Sequence, residues 1–328
     1  MNPKTDGRVE VVEEVKFHTR IKHKFIDTYL SIWTNNVAKN HMTSKKRIPS
    51  LEIYDLYAAS GWCYCDELTQ YGLEGERWEG SALLAARCIG EYPKGTRLFL
   101  NSYHPDPDIR QQQRATLEES LKPYYAKYPR LRRNTTITSL PVEKAVVQAE
   151  RMVNRNFPSI FILDPYEPKQ LPWHVIERIG RMQGQYQLGG APRKPEMIIN
   201  LMTSYLQRFS DTQPEFATIA LGMKEDLWRS RFEAYKETSN ARDAFIQLYR
   251  DRLGEFYIKP PVVALVRDTS NRAVVYAMLL CTDSDAGHFM MAVKGIQELK
   301  RWKVEVWEPQ ARKMTVLKKD QGQTFLNV

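Results

Sequence analysis

Two aspartates in this sequence end apolar runs, and each is followed by residues that suit a bound ligand. The first run, Ile53-Tyr54-Asp55, leads into Leu56-Tyr57-Ala58-Ala59-Ser60-Gly61. Small residues after a strand let a ligand come close to the backbone. An amide-rich loop after a parallel strand is where doubly wound α/β folds hold nucleotide-like ligands. The bland reading of the same stretch is a buried strand and a turn with a capping Asp. The second run, Ser159 to Leu163, leads into Asp164-Pro165-Tyr166. That order suits a planar amine: the carboxylate accepts from the NH₂, the proline fixes the loop and the ring stacks on the base. The tripeptide is also common in turns. Asp55 and Asp164 have no third acid beside them, so a metal-dependent nuclease is disfavoured and no metal ligand is assigned.

Three further groups have the right residue types. His18, Thr19, Lys22 and His23 share a stretch of helical periodicity. They read either as a phosphate or proton-handling group or as partly packed helix surface. Gly80-Ser81 opens a small-residue helix over Ala82 to Ile89, with Ser81 as a first-turn cap and free amides that suit an anion. Between Arg110 and Arg133 lie Arg110, Arg114, Lys122, Lys127, Arg130, Arg132 and Arg133, against Glu118 and Glu119 alone, a local charge of +5. Tyr124, Tyr125 and Tyr128 are interleaved with them. Cations mixed with aromatics suit a nucleic-acid backbone with bases to stack, and equally a solvated helix face.

The elements that must position these groups alternate. Residues 16–39 read as a helix, with Phe17, Ile21, Phe25, Tyr29, Ile32 and Trp33 at spacings of three or four. Strands follow near 53–55, 97–101, 135–139, 159–163 and 196–202, separated by helices over 82–89, about 109–127, 141–153 and 173–182. Residues 62–79 read as an irregular loop over the crevice, and 183–195 as a Gly- and Pro-bearing loop. Residues 213–256 turn helical and charged. Val262 to Val266 and Ala273 to Cys281 read as a late strand pair, and Ala286 to Trp302 as an amphipathic helix. The order predicts an α/β fold: a Rossmann-like core like that of class I methyltransferases, mostly parallel with a late antiparallel strand, plus a helical insertion. The expected division is an N-terminal helical segment over 1–48, the core over 49–206 and 257–303, the insertion over 207–256 and a β-extension over 304–328.

Composition narrows the classes. The 328 residues carry a net charge of +9 and no apolar run near the roughly 20 residues that cross a bilayer, so no membrane partner is expected. The N-terminus is charged, without a signal-peptide core. Cys63 and Cys65 are too close for zinc or thioredoxin spacing, and with Cys88 and Cys281 read as reduced thiols of a cytoplasmic protein.

The run from Tyr54 to Gly61, followed by Gly80-Ser81, resembles the Asp-x-Phe-Ala-Gly-Ser-Gly … Gly-Ser pattern of the three-Cys-motif partner proteins. Asp164-Pro165-Tyr166 resembles their Asp-Pro-Phe segment. His18-Thr19 … Lys22-His23, with Tyr29 and Trp33, resembles their N-terminal helix, and residues 275–291 their C-terminal strand and helix. The resemblance covers about residues 16–302. That family is similar to S-adenosylmethionine (SAM)-dependent methyltransferases and takes its name from a neighbouring gene for a predicted radical-SAM protein.

The resemblance implies SAM as cofactor, with Asp55, Ala58, Ala59, Ser60 and Gly61 at its methionine end. Gly80 and Ser81 would lie beside it, and Asn101 near the ribose. Asp164 and Tyr166 would orient a target amine, and Arg110, Arg114, Lys122, Arg130, Arg132 and Arg133 would hold a nucleic-acid substrate. Two departures stand out: Ala59 replaces a glycine, and the acid that usually ends the second strand is missing, with Asn101 and Ser102 near its place. They favour the alternative of a catalytically drifted subunit that binds nucleic acid or another protein, a radical-SAM-type partner among them.

Overall fold

The structure, a computed structural model, describes residues 13–43, 50–65, 77–92, 95–182, 187–188, 191–192, 194–268, 273–291, 295, 297, 300 and 305–306. In chain order the first elements are β1 (Glu13–Glu14), α1 (Phe17–Thr43), β2 (Ser50–Asp55), β3 (Trp62–Tyr64), β4 (Trp78–Glu79), α2 (Ser81–Gly90) and β5 (Gly95–Asn101). Then come α3 (Pro107–Ser120), α4 (Lys122–Lys127), α5 (Pro129–Arg133), β6 (Thr135–Thr138), α6 (Val142–Met152), β7 (Ser159–Leu163) and α7 (Trp173–Gly180). The rest are β8 (Gln187–Leu188), β9 (Ala191–Pro192), β10 (Glu196–Leu201), α8 (Thr203–Phe209), α9 (Glu215–Leu221), α10 (Glu225–Lys236), α11 (Ala241–Leu253), β11 (Val262–Arg267), β12 (Val274–Cys281), α12 (Asp285–Met290) and β13 (Glu305–Val306).

An eight-stranded sheet runs β13-β11-β12-β10-β7-β2-β5-β6. β6, β5, β2, β7 and β10 are parallel neighbours, while β12 runs antiparallel to both β10 and β11. This is the Rossmann-like arrangement with a late antiparallel strand. Strands buried on both faces read as continuous apolar runs, and their residues still alternate in space. Tyr54, Phe161, Leu163, Met197 and Ile199 point to one face, where α6, α7 and α8–α11 supply the core. Leu51, Ile53, Ile160, Ile162 and Ile198 point to the other, against α1, α2 and the α3–α5 segment. Strand order reverses at β2, which lies between β5 and β7, so a crevice opens at the carboxyl ends of β2 and β7.

Several sequence expectations need correcting. The basic helix over about 109–127 is broken into α3 and α4, and a further short helix, α5, follows it. Pro123 and Pro129 sit in the first turns of α4 and α5, where a missing N–H starts a helix but cannot continue one. The stretch 62–79 is not all loop: β3 pairs antiparallel with β4 and parallel with β1. Its residues 66–76 lie outside the described residues. The helical stretch after β10 comprises α8–α11, beginning at Thr203, and its Trp228, Phe232 and Phe245 share one core with the sheet. Residues 1–12, the linker at 44–49, the turn at 269–272, most of 292–304 and the tail from 307 lie outside the described residues.

Candidate functional site

Asp55 ends β2 and is fully buried. Its Oδ1 accepts from the Tyr57 amide at 2.9 Å, and no donor meets Oδ2 in good geometry. Burial pushes its pKa up to about 7. The Ser81 hydroxyl and the Tyr57 N–H favour the charged form, Asp164 opposes it and Lys22 helps, but burial prevails. The expectation that Ser81 caps α2 is corrected: the cap position is Gly80, without a side-chain bond.

The loop after Asp55 is stitched to its neighbours. Leu56 N donates to Ile162 O at 3.1 Å and Ala58 N to Asn101 O at 3.0 Å. Ala59 holds φ +48°, a left-handed conformation that costs a residue with a Cβ about 1 kcal/mol or more. Ala59→Gly should therefore raise stability by about 1 kcal/mol, read as a higher denaturant midpoint, since glycine adopts this region freely. At Gly80 the requirement is space: its N–H donates to Gly61 O at 2.7 Å, and a Cβ there would lie 2.9 Å from that same oxygen.

Asp164 follows β7. Its Oδ1 takes the Lys22 ammonium at 2.8 Å and the Asn200 amide at 2.9 Å, while Oδ2 faces His23 Nε2 at 3.9 Å. Burial works against the Lys22 charge, yet the charge and hydrogen bond of Asp164, with Tyr276, hold its pKa above the ordinary value. Burial and then the Lys22 charge push His23 down to about 3, so its imidazole is neutral. Trp78 Nε1 donates to His23 Nδ1 at 3.0 Å. An indole N–H only donates, so the His23 proton sits on Nε2, toward Asp164. His18 packs edge-on against Tyr276, with ring centroids 5.0 Å apart. His18, Thr19, Lys22 and His23 are all buried, which corrects the reading of this face as helix surface.

These groups meet in one cavity of about 300 Å³ at the β2/β7 crevice. Of the residues singled out from sequence, Ala58, Ala59, Gly61, Gly80, Ser81, Asp164 and Tyr166 line it. Tyr166 is half exposed at the site. Asp55 is fully buried and is not itself among the lining residues. Ser60 is buried, its hydroxyl 3.5 Å from Trp62 O, and is not part of the lining. Asn101 stands apart. Its Nδ2 donates to Leu56 O and Leu140 O, and its Oδ1 accepts from Thr138 Oγ1 and Leu140 N, so every polar position of the side chain is spent on joining strand ends. Ser102 Oγ likewise donates to Ala59 O at 2.8 Å.

Sequence reasoning singled out His18, Thr19, Lys22 and His23 as a separate group without joining them to this site, whose lining they help form, and did not single out Tyr276. The available signal was the spacing: positions 18, 19, 22 and 23 fall on one helix face. The basic residues divide. Arg114, Lys122, Arg132 and Arg133 line a separate depression of about 800 Å³ with Tyr125, whereas Arg110 lies over the Tyr103 ring at 5.5 Å and Arg130 falls outside the depression. Among the described residues no cluster of three or more His, Cys, Asp or Glu suits a metal, and no helix is long and apolar enough to cross a membrane.

No family model and no curated protein matches this chain. Among solved structures, protein LPL1258 from Legionella pneumophila, of family DUF519, is similar over 90% of this chain and 98% of its own, at 10% identity and a TM-score of 0.50. That likeness concerns the fold alone. A geranyl diphosphate methyltransferase in complex with GPP and sinefungin matches over 77% of this chain and 78% of its own, at 9% identity and a TM-score of 0.27, too distant to carry an argument.

Proposed function

We propose that this chain is a SAM-dependent methyltransferase-like protein that acts on nucleic acid, with the cofactor in the β2/β7 crevice. The observation that carries the reading is Asp55. A buried carboxyl whose Oδ2 meets no donor among the described residues, beneath a small-residue loop at the point of strand-order reversal, suits a cationic amino-acid group. The residues fit at that end. Asp55, buried next to lining residues, would supply the negative charge beneath the ammonium, and Ala58, Ala59, Gly61 and Gly80 would admit the chain of the ligand against the backbone. When bound, SAM supplies a methyl group already activated on sulfur, so alignment is what the protein must add. Lys22 and Asn200 take up Asp164 Oδ1 and leave Oδ2 to accept from a target amine, beside the Tyr166 ring.

Calorimetric titration with SAM tests this reading. The parent protein should bind, and Asp55→Ala should weaken binding at least tenfold while remaining folded by circular dichroism. A folded parent that takes up no heat at millimolar SAM would end the proposal. One observation favours a second reading, a subunit that has lost catalysis: at the place of the missing acid, Asn101 is fully spent within the fold.

A further inference from the structure

We infer that the depression beside β6 is a binding groove for single-stranded nucleic acid, entered by the phosphate backbone along Arg132 and Arg133 with a base against Tyr125. The inference rests on the nucleic-acid half of the reading above and not on the occupant of the crevice.

The groove is formed where three short helices meet the edge of the sheet. Arg114 and Glu118 come from α3, Lys122 and Tyr125 from α4, Arg132 and Arg133 from α5, and Thr135 and Ile137 from β6. Among the described strands β6 is the outermost of the sheet on that side. The cations are not equivalent. Arg114 is paired with Glu118 at 3.0 Å and Lys122 with Glu119 at 2.5 Å. Arg132 and Arg133 are exposed and have no ion-pair partner among the described residues. Two uncompensated guanidinium groups beside two compensated cations leave the groove positive, and a polyanion complements it.

The tyrosines choose between kinds of nucleic acid. Tyr124 donates its hydroxyl to Glu79, and Tyr128 packs over Gly90, where a Cβ would strike its ring. Tyr125 alone of the three lines the groove. A duplex keeps its base faces stacked inside, out of reach of a ring set in a concave surface. An unpaired strand offers both a backbone to track and a base face to stack, the combination that sequence-tolerant single-strand sites use.

Fluorescence anisotropy with a labelled single-stranded 12-mer of mixed sequence, measured across 50–200 mM salt, tests the assignment. Arg132→Glu/Arg133→Glu should weaken binding at least tenfold. It should also flatten the plot of log K against log salt by about 1.4, from about 0.7 per lost phosphate contact on a single strand. Tyr125→Leu should weaken binding about fivefold or more with the salt slope unchanged. Lys144→Glu/Arg155→Glu makes the same charge change at exposed positions outside the groove and should cost under threefold. If the double reversal does not fold, Arg132→Gln and Arg133→Gln singly should each cost a few-fold. The assignment is overturned if the control pair weakens binding as much as the groove pair. It is also overturned if the matching duplex binds as tightly as the strand, or if inorganic polyphosphate competes equally while Tyr125→Leu has no effect. SAM titration of Arg132→Glu/Arg133→Glu should match the parent, so failure in the crevice and failure in the groove are read separately.

Discussion

Lys22→Met will lower folding stability by about 3–5 kcal/mol, the cost of stranding a buried carboxylate. Lys22 and Asp164 are both buried and meet at 2.8 Å. Methionine keeps most of the lysine's methylene packing, so the loss isolates the charge. Asn200 still donates to Asp164, but the neutral His23 brings no compensating charge. One control separates charge from packing. Lys22→Met/Asp164→Asn removes both charges and should recover more than half of the loss, because replacing both partners of a buried pair is far milder than removing one. Denaturant midpoints of the three proteins at pH 7 check this. A single variant that loses less than 1 kcal/mol, or a double variant as unstable as the single one, would sink the claim that this pair anchors α1 over the crevice.

That anchor was the part of the site hardest to read in the sequence. The strand ends were legible because they are local: Ile53-Tyr54-Asp55 and Ile160 to Asp164 are apolar runs with an acid at the end, and a strand covered on both faces needs little else. The late strand pair was legible for the same reason. Lys22 and His23 carry the opposite signal, since polar residues on a helix ordinarily face water. Their burial depends on Asp164 and Trp78, which no local pattern connects to α1. Asn101 shows the limit from the other side. Its residue type suits a ribose as well as a strand clamp, and only its partners in the fold decide. β1, β3 and β4 were missed because two or three residues are too few for alternation to show. Pro123 was visible, yet the stretch over about 109–127 reads in sequence as one continuous helix.

Asp55→Asn will stabilise the protein in neutral and alkaline solution, by about 2–3 kcal/mol at pH 8. The sign follows from the direction of the shift. The carboxyl is held at about 7 in the folded protein against an ordinary 3.8, so between those values the folded state binds the proton that the unfolded state has released. Stability from this group is fully present near pH 4, falls as pH rises toward 7, and stays reduced above it. At about 1.4 kcal/mol per unit the whole shift is worth about 4 kcal/mol, of which an amide that must itself be bonded returns part. Asparagine keeps the acceptor for the Tyr57 N–H, so that contact survives while the charge goes. The gain at pH 5 should be under half of that at pH 8. A gain independent of pH, or a loss at both values, would show that Asp55 is comfortably ionised. A carboxyl that the fold would be more stable without is best explained by what enters the crevice. Sites that destabilise the resting protein commonly do so because the group is needed by a ligand, and on the proposed reading that ligand brings positive charge into the crevice. The stability of Asp55→Asn and the SAM affinity of Asp55→Ala therefore test one idea from two sides: the substitution that most relieves the fold should be at the position that most weakens the cofactor.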